Sequence, residues 1–376
     1  MKIIRITSRV IVGLVFIFSG VVKAIDPLGF AYKFHDYFQA FHLGFLNALG
    51  LALAIFFCTA EFISGFAVIT GVRQKTGIYG VLTLLAIFTP LTFILALTNP
   101  VSDCGCFGDA IHLTNWQTFS KNIVLLAFFL IIYTGRNKIE PVFRKTTEWL
   151  VISIVIVLFI GFSLANLRYL PLIDFLPYKT GVKIADKMIM PEGVPADEYR
   201  TTFVYEKEGI KKEFDLTNYP AKDSTWKFVD QKSVLVKKGY KPPIHDFIIT
   251  SSSGEDLTQQ ILSFQGYTLL MVSKKLDEAG EKKLKKGFAL GNYCMTESIV
   301  FYILTSSGTQ DVKRYDNGLT FCSADETTLK TMIRSNPGYI LLKDGIILGK
   351  WSWANVPAKD WFGKQMNLRG DENQKK

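Results

Sequence analysis

The sequence predicts a multi-domain protein in which an α-helical bundle of about five transmembrane spans precedes an α/β globular part. Two observations predict this fold class. The chain of 376 residues is 49% hydrophobic, with a mean hydropathy of +0.22, which is high for a wholly soluble protein. Nearly all of its long apolar runs lie before residue 168, and the remainder is rich in Lys, Asp, Glu and Thr.

Five apolar stretches approach or exceed the roughly 20 residues that a helix needs to cross a bilayer. The first follows a basic N-terminus, as in a signal peptide, but no small-x-small cleavage site follows it. We therefore expect this stretch to be retained as the first span. The candidate spans are about Val10–Ile25, Leu43–Thr70, Gly77–Thr98, Trp116–Tyr133 and Trp149–Leu167.

Basic residues between the spans predict their orientation. If the spans alternate, nine Lys/Arg in the N-terminus and in loops 71–76 and 135–147 lie on one side of the membrane, and three lie on the other. Lys and Arg in short loops accumulate on the cytoplasmic side. We therefore expect a protein of the bacterial inner membrane, with a cytoplasmic N-terminus, a periplasmic loop 99–115 and a periplasmic C-terminal part.

The net charge of +10 does not predict a nucleic-acid partner. Residues 1–167 carry 12 Lys/Arg and 7 Asp/Glu, and residues 168–376 carry 31 and 26. The excess is therefore spread over both parts, without the aromatic-interleaved basic stripe that binds single strands. The expected partners are the lipid bilayer and a periplasmic or envelope protein.

Glu61 lies inside the second span, far from either end. A charged carboxylate within a bilayer is costly, so it normally faces the bundle interior or is protonated. Two interpretations stay open. Glu61 either contacts a proton path or a quinone, or it is a packing residue hydrogen-bonded to a Ser, Thr or Tyr of a neighbouring helix.

The loop after the third span contains Asp103-Cys-Gly-Cys-Phe-Gly108. Cysteines at i and i+2 close only a small ring, and Gly105 permits the tight backbone that this ring needs. A strained disulfide is easily reduced, which suits a redox-active Cys104/Cys106 pair. The alternatives are a disulfide that only shapes the loop, a metal site with His112 as the nearest further ligand, or two thiols without a role. Because no complete ligand set is visible, we assign no metal.

Several of these motifs together resemble the DoxX/MauE group of four-helix membrane proteins, over residues 1–135. The resemblance implies a four-helix bundle, which a cytoplasmic loop and a fifth helix extend over residues 136–167. It also implies membrane redox chemistry with quinone as a candidate cofactor, since the MauE branch is associated with disulfide formation in methylamine dehydrogenase maturation and the DoxX branch with thiosulfate:quinone oxidoreductase. The residues that carry it are Phe18–Lys23, Asp26-Pro27, Glu61, Gly65, Gly71 and 103–108.

Residues 168–239 are predicted to be an irregular leader that contains strands. Thr201–Lys207 and Ile210–Asp215 flank Glu208-Gly209, as in a hairpin, and Trp226–Val236 is a further candidate strand. At the other end of the outer part, residues 363–376 form a polar tail that we expect to be loose.

Residues 240–362 resemble a thioredoxin-like domain of the redoxin type. By this resemblance, Pro337 is the cis proline that the family places before its final hairpin, a position-specific feature. The hairpin itself is indicated by the Asp344-Gly345 turn. The matching elements are the opening Pro243-x-x-Asp-Phe247, strands Thr268–Ser273 and Ile299–Thr305, helices at about 276–290 and 325–333, and strands Tyr339–Leu342 and Ile346–Lys350.

This domain looks degenerate, because the segment after its first central strand, Ser273–Asp277, lacks the Cys-x-x-Cys of working thioredoxins. Cys294 and Cys322 remain. They are a candidate disulfide, exchange partners for the Cys104/Cys106 pair, or buried small apolar residues.

Two functions follow from these observations. In the first, Cys104 and Cys106 carry thiol-disulfide or quinone-linked electron transfer on the periplasmic face, Glu61 handles a proton, and the thioredoxin-like domain recognises a substrate protein. In the second, the protein is not an enzyme. The bundle is then an anchor or assembly subunit that displays the degenerate domain to an envelope partner.

Overall fold

The computed structural model describes residues 2–101, 103–136, 142, 144–191, 193–195, 198–220, 223–237, 239–297, 299–358 and 361–362. The polar tail predicted at 363–376 lies outside these residues. The chain divides into two compact units, Met1–Gly181 with Ile248–Lys376, and Val182–Phe247.

The five predicted spans are confirmed as helices that are long and apolar enough to cross a membrane. A short 3-10 turn at Gly44–Leu49 extends the second of them, and the helix that lies between the first and second spans, α2, was not predicted. The helices of this part are α1 Lys2–Ile25, α2 Pro27–Ala40, α3 Gly50–Thr70, α4 Gln74–Thr98, α5 Asn115–Thr134 and α6 Glu148–Tyr169.

Helices α1 and α3 pack at close range because small residues face each other. A Cβ added to Gly65 would lie 2.6 Å from the carbonyl oxygen of Gly13, so only glycine allows this approach. The apolar core of the bundle is built from Val12 and Phe16 on α1 together with side chains of α3, α4 and α5. Helix α5 begins with a capping box between Thr114 and Gln117.

The C-terminal part of the same unit contains one six-stranded sheet in the order β4-β7-β6-β5-β8-β9. Its central strands β5 and β6 are parallel, and β8 pairs antiparallel with β5 and with β9. The elements are β4 Thr250–Ser251, α8 Thr258–Ser263, β5 Tyr267–Val272, α9 Leu276–Ala279, α10 Glu281–Thr296, β6 Val300–Thr305, α11 Thr309–Arg314, β7 Phe321–Ser323, α12 Glu326–Met332, β8 Gly338–Lys343 and β9 Ile346–Ser352.

This topology confirms the thioredoxin-like fold class. A parallel β5-α10-β6 unit is followed by an antiparallel hairpin, and the Asn336–Pro337 peptide bond before that hairpin is cis. One helix was expected at 276–290, but two are present. The chain breaks at Gly280, whose φ of +85° lies in a region that favours glycine, and α10 then continues to Thr296.

The second unit contains a short helix, Ile184–Met188 (α7), and a three-stranded antiparallel sheet in the order β2-β1-β3. The strands predicted in the leader at 168–239 form this sheet. Its strands are β1 Glu198–Lys207, β2 Ile210–Asp215 and β3 Lys227–Lys237, and β1 and β2 form the hairpin expected at Glu208-Gly209.

Candidate functional site

The two cysteines of the 103–108 motif lie in the loop between α4 and α5. Gly105 has a φ of +62°, and its N–H donates to Asp103 Oδ1 at 2.9 Å. The N–H of Gly108 then donates to the carbonyl oxygen of Gly105 at 3.0 Å. These bonds fold the loop into a tight turn that places both Cys104 and Cys106 against one cavity in the bundle.

Helix α2 holds this loop from the side. Asp26 caps its N-terminus by accepting from the N–H of Gly29 at 2.9 Å, and Pro27 occupies the first turn. Lys33 donates to Asp103 Oδ2 at 3.0 Å, and the Tyr37 hydroxyl donates to the carbonyl oxygen of Cys104. The loop is therefore fixed through its backbone and through Asp103, and neither thiol is needed to hold it in place.

Glu61 forms an ion pair inside the bundle. Lys23 Nζ lies 2.6 Å from Glu61 Oε1 and 2.9 Å from Oε2. Lys23 lies near the end of the first predicted span and is only 3% exposed. Both interpretations of Glu61 overlooked this cation. The sequence did contain a signal for this ion pair, namely a carboxylate within one span and a lysine near the end of the preceding span.

A serine connects this ion pair to the cysteine loop. The Ser19 hydroxyl lies 2.8 Å from Glu61 Oε2 and 2.8 Å from the carbonyl oxygen of Cys106. The packing interpretation did predict a hydroxyl partner for Glu61. Because a hydroxyl carries one proton, Ser19 donates to one of these oxygens at a time. Glu61, Ser19 and the Cys106 backbone therefore form one continuous polar path.

A cavity of about 60 Å³ lies beneath the two cysteines and is lined by α1 to α5. Aromatic rings form much of its wall, and Lys23 and Lys121 bring ammonium donors to it. The Asn122 amide already donates to Thr92 Oγ1 and to the carbonyl oxygen of Phe88. This donor chemistry fits a quinone, whose carbonyl oxygens accept hydrogen bonds. The volume does not hold the ring as the loop stands, because a benzene ring needs roughly 150 Å³, whereas several waters fit.

The environments of the two thiols differ. A hydrogen bond from the Cys104 thiol lowers the pKa of Cys106 to about 6, and the ammonium groups of Lys121 and Lys23 act in the same direction. The same hydrogen bond, with burial, raises the pKa of Cys104 well above its usual range. Cys104 is buried and Cys106 half-buried. The pair therefore holds its first negative charge on Cys106.

The thioredoxin-like domain contacts the end of the bundle that carries the cysteine loop through the segments around Lys274 and Arg334; we call these segments its cysteine-free edge. In the segment after β5, Lys274 Nζ donates to the hydroxyl of Tyr32 on α2. Burial lowers the pKa of Lys274 to about 8. Next to the cis proline, Asn336 donates to the carbonyl oxygen of Lys275 at 2.9 Å. The region that carries Cys-x-x-Cys in a working thioredoxin serves here as a contact surface.

Arg334 makes the second contact of this edge, and sequence reasoning did not single it out. Its Nε lies 2.7 Å from Asp26 Oδ2, and its Nη2 lies 2.7 Å from Asp109 Oδ2. The side chain is 6% exposed. No local pattern marks such a residue, since its partners lie 308 and 225 positions away.

Cys294 and Cys322 are both free thiols, so the candidate disulfide between them is not formed. Cys294 packs in the same apolar core as Phe321. Neighbouring strand residues point to opposite faces of a sheet, so Cys322 faces away from that core. The sheet separates the two thiols, and each is a buried small side chain.

His112 was the nearest further ligand in the metal interpretation of the loop. Its Nδ1 lies 3.9 Å from Asp103 Oδ2, and its side chain is 65% exposed. Asp103 is already bonded to Lys33 and to the backbone of Gly105. His112 therefore lies at the rim of the loop, outside the cavity that Cys104 and Cys106 line.

Comparison with known proteins decides the type of the membrane part. Residues 1–135 match the family described as Methylamine utilisation protein MauE. They form a MauE-type membrane domain. The match is to the MauE branch of the group that the sequence resembles. Residues 199–238, in the second unit, match a family described only as a domain of unknown function.

Two individual proteins are also similar to parts of the chain. Protein TlpB of Flavobacterium psychrophilum is 28% identical over 130 residues, which are 34% of this chain and 35% of TlpB. The match thus spans about a third of that relative. The thioredoxin domain of a thiol-disulfide oxidoreductase from Bacteroides vulgatus is 13% identical and covers 32% of this chain and 91% of its own, with a TM-score of 0.25.

Proposed function

We propose that this protein is a membrane thiol-disulfide redox protein whose Cys104/Cys106 pair oxidises a substrate dithiol at the outer face of the membrane. The observation that carries this proposal is the difference between the two thiols. Cys106 is half-buried and has a lowered pKa, whereas Cys104 is buried and has a raised one. This division suits one thiol that bonds to the substrate and one that closes the disulfide.

The direction of exchange follows from the stabilised thiolate. Stabilising the reduced form of a dithiol makes its disulfide a stronger oxidant. Lys121 and Lys23 favour the Cys106 thiolate, which exists only after reduction. The pair is therefore built to accept two electrons from a substrate rather than to donate them.

The exchange proceeds in two balanced steps. A substrate thiolate attacks Cys106 Sγ, the Cys104–Cys106 bond breaks, and Cys104 leaves and takes up a proton because of its raised pKa. The second substrate thiol, as its thiolate, then attacks the substrate sulfur of the mixed disulfide and releases Cys106 as a thiolate. The substrate is oxidised to a disulfide, the pair is reduced, and the departing Cys106 is a good leaving group because its pKa is low.

Regeneration of the disulfide requires a two-electron oxidant, for which a membrane quinone is the candidate from the sequence resemblance. Such a quinone, when bound, accepts two electrons and two protons. The cavity beneath the cysteines is too small for a quinone ring, so its lining residues are assigned no step with the quinone. Glu61 and Ser19 connect the cavity to the backbone of the loop by hydrogen bonds, and Glu61 is the candidate carboxylate for taking up a proton there.

We also propose that the loop and the thioredoxin-like domain lie on the periplasmic side of the inner membrane. The nine basic residues on the opposite side of the alternating spans support this orientation. The contacts of Arg334 with Asp26 and Asp109 support a shared side for the domain, α2 and the loop. The substrate is then a protein of the cell envelope.

The redox state of the pair in native membranes tests this function. Membranes are equilibrated in thiol-disulfide buffers with and without an added quinone, and free thiols are labelled and quantified by mass spectrometry. We expect Cys104 and Cys106 to titrate together, above the roughly −300 mV that bounds structural disulfides, and to be re-oxidised faster with quinone. Cys58, which is buried in α3, serves as the internal control that stays reduced.

The cysteine-free edge of the domain favours a second candidate, an assembly or anchoring subunit that performs no exchange. It predicts that the pair stays locked in one redox state under all buffers. It also predicts that Cys104→Ser and Cys106→Ser leave the function of the protein in the cell intact. The same titration therefore separates the two functions.

A further inference from the structure

Arg334 contributes from the thioredoxin-like domain to the surroundings of the cysteine pair. Its guanidinium binds two carboxylates that belong to different parts of the membrane domain, Asp26 and Asp109. A guanidinium can hold two carboxylates at once in a fixed geometry, which an ammonium group cannot reproduce. Both partners stand next to elements that shape the loop.

The Asp26 contact acts on helix α2. Asp26 uses its second oxygen, Oδ1, to cap α2 through the N–H of Gly29. That helix carries Lys33 and Tyr37, which bind Asp103 and the carbonyl oxygen of Cys104. Fixing the start of α2 therefore fixes the two side chains that hold the loop before and at Cys104.

The Asp109 contact acts on the other side of the loop. Asp109 is three residues beyond Cys106 and lies between Phe107 and Ile111, which form a short antiparallel bridge. Phe107 in turn packs edge-to-face on Phe18 at 5.4 Å, and the Lys121 ammonium lies 4.7 Å from its ring centroid. Holding Asp109 therefore holds Cys106 near the cation that favours its thiolate.

We infer that Arg334 is a positioning residue for the Cys104/Cys106 site, acting from the thioredoxin-like domain through Asp26 and Asp109. This inference rests on the proposed function of the pair and deepens it. It assigns the degenerate domain a role in the site itself. The surface of the domain that lacks the Cys-x-x-Cys positions the two cysteines of the bundle. The charged or titratable groups that face Cys106 include Cys104, Lys121, Lys23, Glu61 and, on α2, Tyr37, and Arg334 acts on their arrangement.

The test measures the rate of Cys106 alkylation against pH on the reduced full-length protein, with the modified cysteine identified by mass spectrometry. The midpoint of this curve reports the pKa of Cys106 and requires neither substrate nor quinone, so it can be read even if the pair does not cycle. For Arg334→Met we expect the midpoint to rise by about one pH unit, a tenfold change in the thiolate equilibrium. Arg334→Lys, which reaches one carboxylate, shifts it less.

Leu284→Ala is the control for a general loosening of the domain. Leu284 lies on α10, is fully buried in the apolar core of the domain and carries no charge. A midpoint that moves in Arg334→Met and stays in Leu284→Ala supports the positioning role. Equal shifts in both variants would show that any loosening of the domain suffices, and an unmoved midpoint would show that the loop is independent of Arg334. Either result overturns the inference.

If Arg334→Met does not fold, the same alkylation measurement is made on Asp109→Asn and Asp26→Asn. Each removes one of the two ion pairs and leaves the buried guanidinium one partner. Both are expected to raise the midpoint in the same direction as Arg334→Lys. Unchanged midpoints in these two folded variants also overturn the inference.

Discussion

Lys23 Nζ and Glu61 Oε1 lie 2.6 Å apart inside the helix bundle, where both side chains are almost fully buried. The Lys23 ammonium also lies 4.7 Å from the ring centroid of Phe30, which adds a cation–π contact. The close approach of α1 and α3 at their glycines brings the two charges together. Removing both charges should therefore destabilise the bundle less than removing only one of them, which leaves the other charge buried without a partner.

Removing only one of these charges is expected to destabilise the bundle. Glu61→Gln or Lys23→Met leaves an uncompensated buried charge, which costs about 3–5 kcal/mol. The double variant Lys23→Met/Glu61→Gln is expected to lose less stability than the sum of the losses in the two single variants. Thermal unfolding in detergent, analysed as a double-mutant cycle, measures this difference. An additive cycle would contradict the pairing of these charges.

The pH dependence of Cys106 follows from its lowered pKa. With a pKa of about 6, Cys106 is roughly 90% thiolate at pH 7, against a few per cent for an ordinary cysteine near 8.5. Alkylation of Cys106 is thus expected to reach half its plateau near pH 6, while Cys104 stays unreactive. Quantitative labelling from pH 4 to pH 10 checks this, and a midpoint near 8.5 would refute it.

The same shift affects the stability of the reduced protein. The unfolded chain binds the Cys106 proton more tightly than the folded one, so stability rises with pH across the window between the two pKa values. The stabilisation is complete above about 8.5 and is lost as pH falls through about 6. Unfolding of wild type and Cys106→Ser across this window is the measurement, and the difference between them is expected to disappear at low pH.

Gly105→Ala is expected to disturb the cysteine loop. The φ of +62° is unfavourable for alanine, and the added Cβ would lie 2.8 Å from Lys33 Cγ, which would push Lys33 away from Asp103. Gly254→Ala is the control, because Gly254 has a φ of +88° with open space around it. Backbone strain alone costs about 1–2 kcal/mol. Only Gly105→Ala should change the redox titration of the pair.

The remaining cysteines of the thioredoxin-like domain are expected to be silent in redox assays. Cys294→Ala and Cys322→Ala should leave the titration of Cys104 and Cys106 unchanged. Each should lower the stability of the domain slightly, since both thiols are buried. Loss of cycling in either variant would instead show exchange between these cysteines and the loop.

The sequence predicted the elements that depend on local pattern. The five spans follow from uninterrupted apolar runs, and strands β5, β6, β8 and β9 follow from short buried runs with turn residues between them. Helix α2 was overlooked although Asp26-Pro27 is a helix-start signal, because its mixed polar and aromatic residues show no strong period. Its role became visible only with its contacts to the loop.

The site could be predicted only where its residues are neighbours in sequence. Cys104 and Cys106 were found from their spacing. The pairing of Lys23 with Glu61 depends on how α1 and α3 pack, and that of Arg334 with Asp26 and Asp109 depends on docking of a distant domain. Such contacts are a property of the folded chain, so a single sequence does not specify them.

The bond between Asp26 and Arg334 joins residues 308 positions apart. At the roughly 5–20 residues per second of protein synthesis, Asp26 is made about 15–60 s before Arg334. During that time the helices and the cysteine loop can fold, while the arginine that binds Asp26 and Asp109 does not yet exist. The geometry of the nascent loop is therefore completed only after Arg334 has been made and its domain has docked on the bundle.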